Sequence, residues 1–158
     1  MLKLLYFLPC EKYIESKDGM GTVVGILDSI TVNGSEFEEN SAVPFQWAAV
    51  SLWMKGDDSD VNKEFEQKVE LFRPDEKMVF GAGSTFKTSD KHLNYRVVYR
   101  VAAFPIGVEG VHWLRLSVRP VGDENEWAQM ANFPVKVIYQ REFTNEDQIE
   151  VEINPQTA

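Results

Sequence analysis

The sequence predicts an all-β protein, an antiparallel β-sandwich of immunoglobulin-like or related topology with about eight strands. Three observations carry this expectation. Short runs of period-two alternation recur along the chain, polar connections bearing Gly or Pro separate them, and no long stretch holds a helical period. The clearest run follows Phe104-Pro105-Ile106-Gly107 and begins at Gly110. There His112, Leu114, Leu116 and Val118 share one face, and Val111, Trp113, Arg115, Ser117 and Arg119 share the other. A slip of one residue would bury both arginines, so His112, Leu114, Leu116 and Val118 are assigned to the core.

From the beginning of the chain, Lys3 to Leu8 reads as the first strand, continuing through Tyr13 and Ile14. Its apolar run stops at Pro9 and meets acidic Glu11, which does not fit a secretory leader. Ser16, Lys17, Asp18 and Gly19 supply a hairpin turn into Thr22 to Val32. That segment is almost continuously apolar through Val23, Val24, Ile26, Leu27 and Ile30, which places it in the centre of a sheet. Asn33 to Pro44 is polar and irregular.

Phe45 to Met54 carries bulk on both faces, with Trp47 and Trp53 on one and Val50 and Leu52 on the other. After the acidic turn at Asp57, Asp58 and Asp60, Phe65, Gln67, Val69 and Leu71 alternate with Glu64, Glu66, Lys68 and Glu70, and Arg73-Pro74 ends the strand. Met78 to Phe86 follows, with Gly81 and Gly83 suggesting a bulge or a close backbone approach. Leu93, Tyr95, Val97, Tyr99 and Val101 share a face of the next strand, and Trp127 to Tyr139 forms the strand after the Gly110 run. Pro134 marks a strand start or an unpaired edge position there. A last alternation, Ile149, Val151 and Ile153 against Glu150 and Glu152, lies in an acidic C-terminal extension over 141–158 and is expected to pair as a strand along an edge or with a second chain.

A chain of 158 residues fits a single domain spanning 1–158 and buries enough surface to fold without metal or disulfide. The lone Cys10 cannot bridge internally and fits a reducing, cytoplasmic setting, where it reads as a small buried hydrophobe. No apolar run approaches the ~20 residues of a membrane-spanning helix. The net charge of −9 repels phosphate backbones, so neither nucleic acid nor membrane is an expected partner.

Several short pieces together resemble a family of small bacterial β-sandwich proteins designated only as a domain of unknown function. They are Asp18-Gly19 before the strand Val23 to Asp28, the Pro44 to Trp53 strand, the strand end at Leu71 to Asp75, and the Phe104-Pro105 to Gly110 approach to His112, Leu114, Leu116 and Val118. The resemblance covers most of residues 1–140, implies a β-sandwich, and carries no functional residues. The family usually has an aromatic residue where His112 stands.

Chemistry-bearing motifs are sparse. Gly19, Gly21 and Gly25 precede a β-branched strand rather than a helix, so they do not build a dinucleotide-binding turn, and Gly81 and Gly83 lack the Lys-Ser/Thr ending of a phosphate loop. His92 and His112 have no Cys or acid at zinc-ligand spacing, and Asn33-Gly34-Ser35 reads as a turn. Strand parity brings the 55–61, 87–92 and 120–125 connections to one end, gathering Asp57, Asp58, Asp60, Asp90, Asp123 and Glu124. A calcium site there is the weaker alternative, because Lys55 and Lys91 intervene and the ligand spacing is not diagnostic. Trp113, pointing away from Leu114 beside Arg115 and Val111, is the candidate for an exposed binding surface, with Ile149, Val151 and Ile153 as a second. The expected function is a non-enzymatic interaction or accessory module without catalytic residues or cofactor, binding a protein partner or its own copies. A calcium- or carbohydrate-binding sandwich is the alternative, and an unrecognised hydrolase ranks third.

Overall fold

The computed structural model describes residues 1–122, 124 and 126–141. The strands are β1 (Lys3–Glu15), β2 (Gly21–Ile26), β3 (Ser29–Asn33), β4 (Ala42–Val43), β5 (Trp47–Met54), β6 (Glu64–Phe72), β7 (Met78–Lys87), β8 (Asn94–Val101), β9 (Phe104–Pro105), β10 (Gly110–Pro120) and β11 (Ala128–Gln140). They form a four-stranded sheet in the order β2-β1-β5-β8, a five-stranded sheet in the order β3-β11-β10-β6-β7, and a small β4-β9 pair. In immunoglobulin lettering, β1-β5-β8 stand as A-B-E and β7-β6-β10-β11 as C′-C-F-G. The all-β sandwich expected from the alternation is therefore present.

The core lies between the sheets and is built as the periodicity required. His112, Leu114 and Leu116 are fully buried and Val118 nearly so. They meet Phe65, Val69 and Leu71 of β6, Val135 and Val137 of β11, and Trp47, Ala49 and Trp53 of β5. Burying a side chain such as Leu114 contributes roughly 1.5–3 kcal/mol, so one register slip along β10 would forfeit several such terms together. Two aromatic groups occupy the ends of this layer. Phe86 stacks between Phe65 at 5.8 Å and Tyr95 at 6.0 Å, while Trp47 packs on Phe104 at 5.5 Å and Phe80 at 6.0 Å.

One polar residue bridges the sheets. Gln67 of β6 is buried, and its Oε1 accepts from Ser51 Oγ at 3.0 Å and Trp53 Nε1 at 2.6 Å, both on β5. Its Nε2 donates to the Tyr99 hydroxyl of β8 at 3.1 Å, which in turn lies 2.8 Å from Ser84 Oγ of β7. At the upper end, Arg73 is almost fully buried and pairs with Asp75 and, at 2.9 Å, with Glu39. These contacts anchor the connection before β4, and the Arg73 hydrogen bonds hold the Asp75 carboxyl at a pKa of about 2. Gly107 lies under the same connection, where a β-carbon would strike the Glu39 carbonyl.

Four expectations are corrected. Thr22 to Val32 is not one central strand: it divides into β2 and β3, edge strands of different sheets. Gly25 adopts φ +65 beside the Glu11 side chain, Leu27 N–H reaches the Pro9 carbonyl at 2.9 Å, and the chain then crosses to the other sheet. The pairing is not wholly antiparallel, because β3 runs parallel to β11. The described strands number eleven rather than about eight, owing to that division and to two short strands, β4 within the segment read as irregular and β9 within the approach to the Gly110 run. Finally, the irregularity in β7 falls at Val79, between the pairs Leu71–Phe80 and Phe72–Met78, and not at Gly81 or Gly83. Pro134 does occupy an edge position, below the reach of β3 along β11.

Replacing Gln67 with Ala leaves the buried Trp53 N–H and Ser51 hydroxyl unpaired, at about 1–3 kcal/mol for each orphaned group. Urea unfolding of Gln67→Ala is expected to show a loss of about 3 kcal/mol or more, and a loss below 1 kcal/mol would contradict an inter-sheet role.

Candidate interaction surface

The region with the most unusual exposure is the ribbon formed by the far half of β1 and by β2. Ser16 to Met20 closes it as a hairpin, with Gly19 N–H on the Ser16 carbonyl at 3.0 Å and Gly19 itself at φ +77. β1 pairs with β5 only as far as Cys10, so the ribbon beyond is free of the sheet and lies against its outer face. Tyr13 and Val23 pack there on Cys10, Ala48, Val50 and Val98.

Two arginines of β8 secure the ribbon. Arg96 lies 5.6 Å and Arg100 6.0 Å from the centre of the Tyr13 ring. Arg96 also donates to the Gly19 carbonyl at 3.2 Å, and Arg100 to the Tyr13 carbonyl at 3.4 Å. Each cation–π contact is worth roughly 0.5–1 kcal/mol. Beneath the ribbon Cys10 is sealed from solvent, and burial raises the pKa of its thiol against the opposing charge of Arg100. That is the inert, hydrophobe-like cysteine expected from its neighbours.

The opposite side of the ribbon faces water. Ile14 is 50% exposed, Met20 69%, Val24 42% and Ile26 58%. Val24 and Ile26 share a face of β2, and Ile14 stands on the same face across the ladder. Beyond β2 no further strand pairs among the described residues, so its outer N–H and C=O groups accompany an apolar face. Lys12 stands directly opposite Val24 on this face, and Glu11, Glu15, Lys17, Asp18 and Asp28 are near neighbours along the chain.

The residues singled out in the sequence fall elsewhere. Trp113 points outward from β10 as its alternation required, but it is half-buried rather than exposed. Phe72 of β6 and Pro134 of β11 stand directly opposite it on either side, and their bulk covers the indole. Arg115 and Arg119 share this outer face, half-buried over Phe72 at 4.1 Å and Trp127 at 4.3 Å, and Arg119 pairs with Glu66.

Of the acidic connections, 55–61 and 87–92 meet at one end, where Thr88 Oγ1 donates to the Asp60 carbonyl and Lys55 Nζ to the Ser89 carbonyl at 2.6 Å. Among the described residues their carboxylates do not converge. Asp57 caps the short turn at Asp58–Asp60 by accepting from Ser59 N–H at 2.8 Å. Asp60 turns inward, accepting from Gly56 N–H at 2.9 Å and pairing with the Met1 amino group at 2.9 Å. Among the described residues no three acidic, His or Cys side chains are placed to hold a metal ion. Asp123, Ile149, Val151 and Ile153 lie outside the described residues.

His112 is a core side chain. Its Nδ1 lies 3.2 Å from the Gly110 carbonyl, its ring meets Phe104 edge-on at 5.8 Å, and Nε2 is buried without a partner. The ribbon itself was not singled out by sequence, because apolar residues at Val24 and Ile26 read as buried. The one available signal was Gly25, which interrupts that run. Compared with known proteins, the chain matches no family model and no curated protein.

Two measurements follow from these environments. Burial lowers the His112 pKa, opposed by the Gly110 carbonyl and reinforced by Arg73. The unfolded chain therefore takes up a proton near its ordinary value of 6.5 that the folded protein resists, so stability is expected to decline as pH falls below about 6.5. In denaturation curves between pH 7 and pH 5, His112→Leu should flatten that decline, and an unchanged slope would count against a buried neutral imidazole. Calorimetric titration with calcium is expected to give no micromolar site, and binding abolished by Asp58→Asn would overturn that reading of the acidic end.

Proposed function

We propose that the protein is a non-enzymatic, cytoplasmic interaction module that binds a protein partner by strand addition along β2. The observation that carries this reading is the exposed row Ile14, Met20, Val24 and Ile26 on a ribbon whose outer strand has an unpaired edge. Natural sheets protect such edges with charge, proline or a covering element, and this edge presents β-branched apolar side chains instead. An added strand would gain backbone hydrogen bonds from β2 and apolar contact from Val24 and Ile26. The acid-rich flanks and the net charge of −9 favour a segment that alternates apolar with basic residues. The resemblance to the bacterial β-sandwich family belongs to the same proposal.

The chemistry of the remaining groups supports a non-enzymatic reading. The imidazole best suited to acid–base work is enclosed in the core, and the single thiol is sealed beneath the ribbon with its pKa raised. No helix of the described residues is long and apolar enough to cross a membrane.

A photo-crosslinking residue at Val24 is expected to capture a partner protein in the native host, whereas one at exposed Thr85 on the opposite edge strand β7 should not. The double substitution Val24→Lys and Ile26→Lys should abolish the complex with stability changed by less than about 1 kcal/mol, because both side chains already face water. Equal capture at the two edges, or adducts only between copies of this chain, would refute heterologous strand addition at β2.

A further inference from the structure

The interior is reachable at the end of the sandwich that carries the 55–61 connection. A slot of about 370 Å³ enters there, with apolar walls from Leu2, Phe65, Val118, Ala128 and Met130. Leu2, Phe65 and Val118 are buried members of the inter-sheet core, so an occupant of the slot touches the core directly. Leu2 leads into β1 of one sheet, whereas the other four belong to β6, β10 and β11 of the second. The volume lies within the range of small-ligand clefts, and the thioether of Met130 gives one wall the freedom to adapt.

The charges at the mouth divide into two groups. Asp60 is buried and accepts from Gly56 N–H at 2.9 Å beside the Met1 amino group, and Arg119 pairs with Glu66 and lies over Trp127. Lys63 and Glu126 also line the slot but are exposed, and no ion pair among the described residues includes either. Both continue apolar rows that descend into the slot, since Lys63 stands two residues before Phe65, and Glu126 two before Ala128 and four before Met130. Each row thus ends at the mouth in a charge, one of each sign. Lys63 is also fixed from its backbone: Asn62 before it adopts φ +58, and Lys63 N–H donates to Thr88 Oγ1 at 3.1 Å while its carbonyl accepts from Thr88 N–H at 2.9 Å.

We propose that the slot is a binding site for a free α-amino acid with an apolar side chain. The side chain enters among Phe65, Val118 and Met130, the carboxylate pairs with Lys63, and the ammonium pairs with Glu126. A purely anionic amphiphile would meet Glu126 and a purely cationic one Lys63, so a head that carries both charges is the one matched on both sides. The apolar part gains by leaving water, while the charged head stays in the solvated mouth and escapes the cost of full desolvation. This site is separate from the β2 edge and does not depend on strand addition there.

Titration of the full chain with free L-amino acids, followed by calorimetry and by methyl chemical shifts, tests the proposal. Saturable binding of one norleucine per chain is expected, and across 2-aminobutyrate, norvaline and norleucine each added methylene should tighten binding about fourfold as it enters the slot. Hexanoate, which lacks the ammonium, and pentylamine, which lacks the carboxylate, should each bind at least about threefold more weakly than norleucine. Lys63→Gln and Glu126→Gln, both at exposed positions, should each weaken norleucine by a similar factor and leave thermal stability unchanged. Norleucine should shift the methyl signals of Leu2, Val118 and Met130, and not those of Ala42 and Val101 in the separate cleft beside β9. The absence of saturable binding would overturn the proposal, as would shifts confined to that other cleft, or hexanoate or pentylamine bound as tightly as norleucine. The wild-type titrations decide the question by themselves if a variant does not fold.

Discussion

The buried side chain of Gln67 is the contact on which the two sheets depend for their mutual position. It is the one polar residue on the inward face of β6, between Phe65 and Val69, and it joins β6 to β5 and β8 through Trp53, Ser51 and Tyr99. Apolar packing is tolerant of small shifts, but a hydrogen-bonded amide is not, because a displaced donor stays buried without water. The carboxamide thus selects one alignment of the sheets among the several that the surrounding aromatics would accept. Phe65, Phe86 and Tyr95 on one side and Trp47, Phe80 and Phe104 on the other then fill the space that this alignment leaves.

With that interior in place, the periphery divides into protected and unprotected regions. The outer face of the five-stranded sheet is closed by paired charges and by arginines lying over aromatic rings, including Arg119 with Glu66 and Trp127, and Arg115 over Phe72. These side chains cover apolar area with their stems while their charged ends stay near water. The four-stranded sheet solves the same problem differently. Its outer face is covered by its own β1–β2 ribbon, held by Arg96 and Arg100, and the ribbon carries its apolar reverse side into solvent. The surface proposed for recognition is thus a consequence of how the sheet covers itself.

The crossing from β2 to β3 has a second consequence. By moving one continuous apolar stretch from one sheet to the other, it bridges the sandwich at mid-height, and among the described residues the lower half of β1 pairs with β5 alone. The parallel β3–β11 pairing belongs to the same event, since a strand entering from the opposite sheet at that level can run only alongside the upper half of β11.

Much of this was legible in the residues themselves. One-sided alternation at His112 to Val118 and at Phe65 to Leu71 determined the inward faces of β10 and β6, because a period of two leaves a single register that buries the apolar set. Turn residues at Ser16 to Gly19 likewise determined the hairpin, since a left-handed backbone position there requires glycine. Other features were decided only in three dimensions. Val24 and Ile26 have the composition of a buried strand and are exposed, and Trp113 has the position of an exposed side chain and is half-covered. Alternation tells which side chains share a face, but not what lies opposite that face. The partner of a strand is set by the crossing of the chain between sheets and by the neighbours it then meets, and these come from residues distant in sequence.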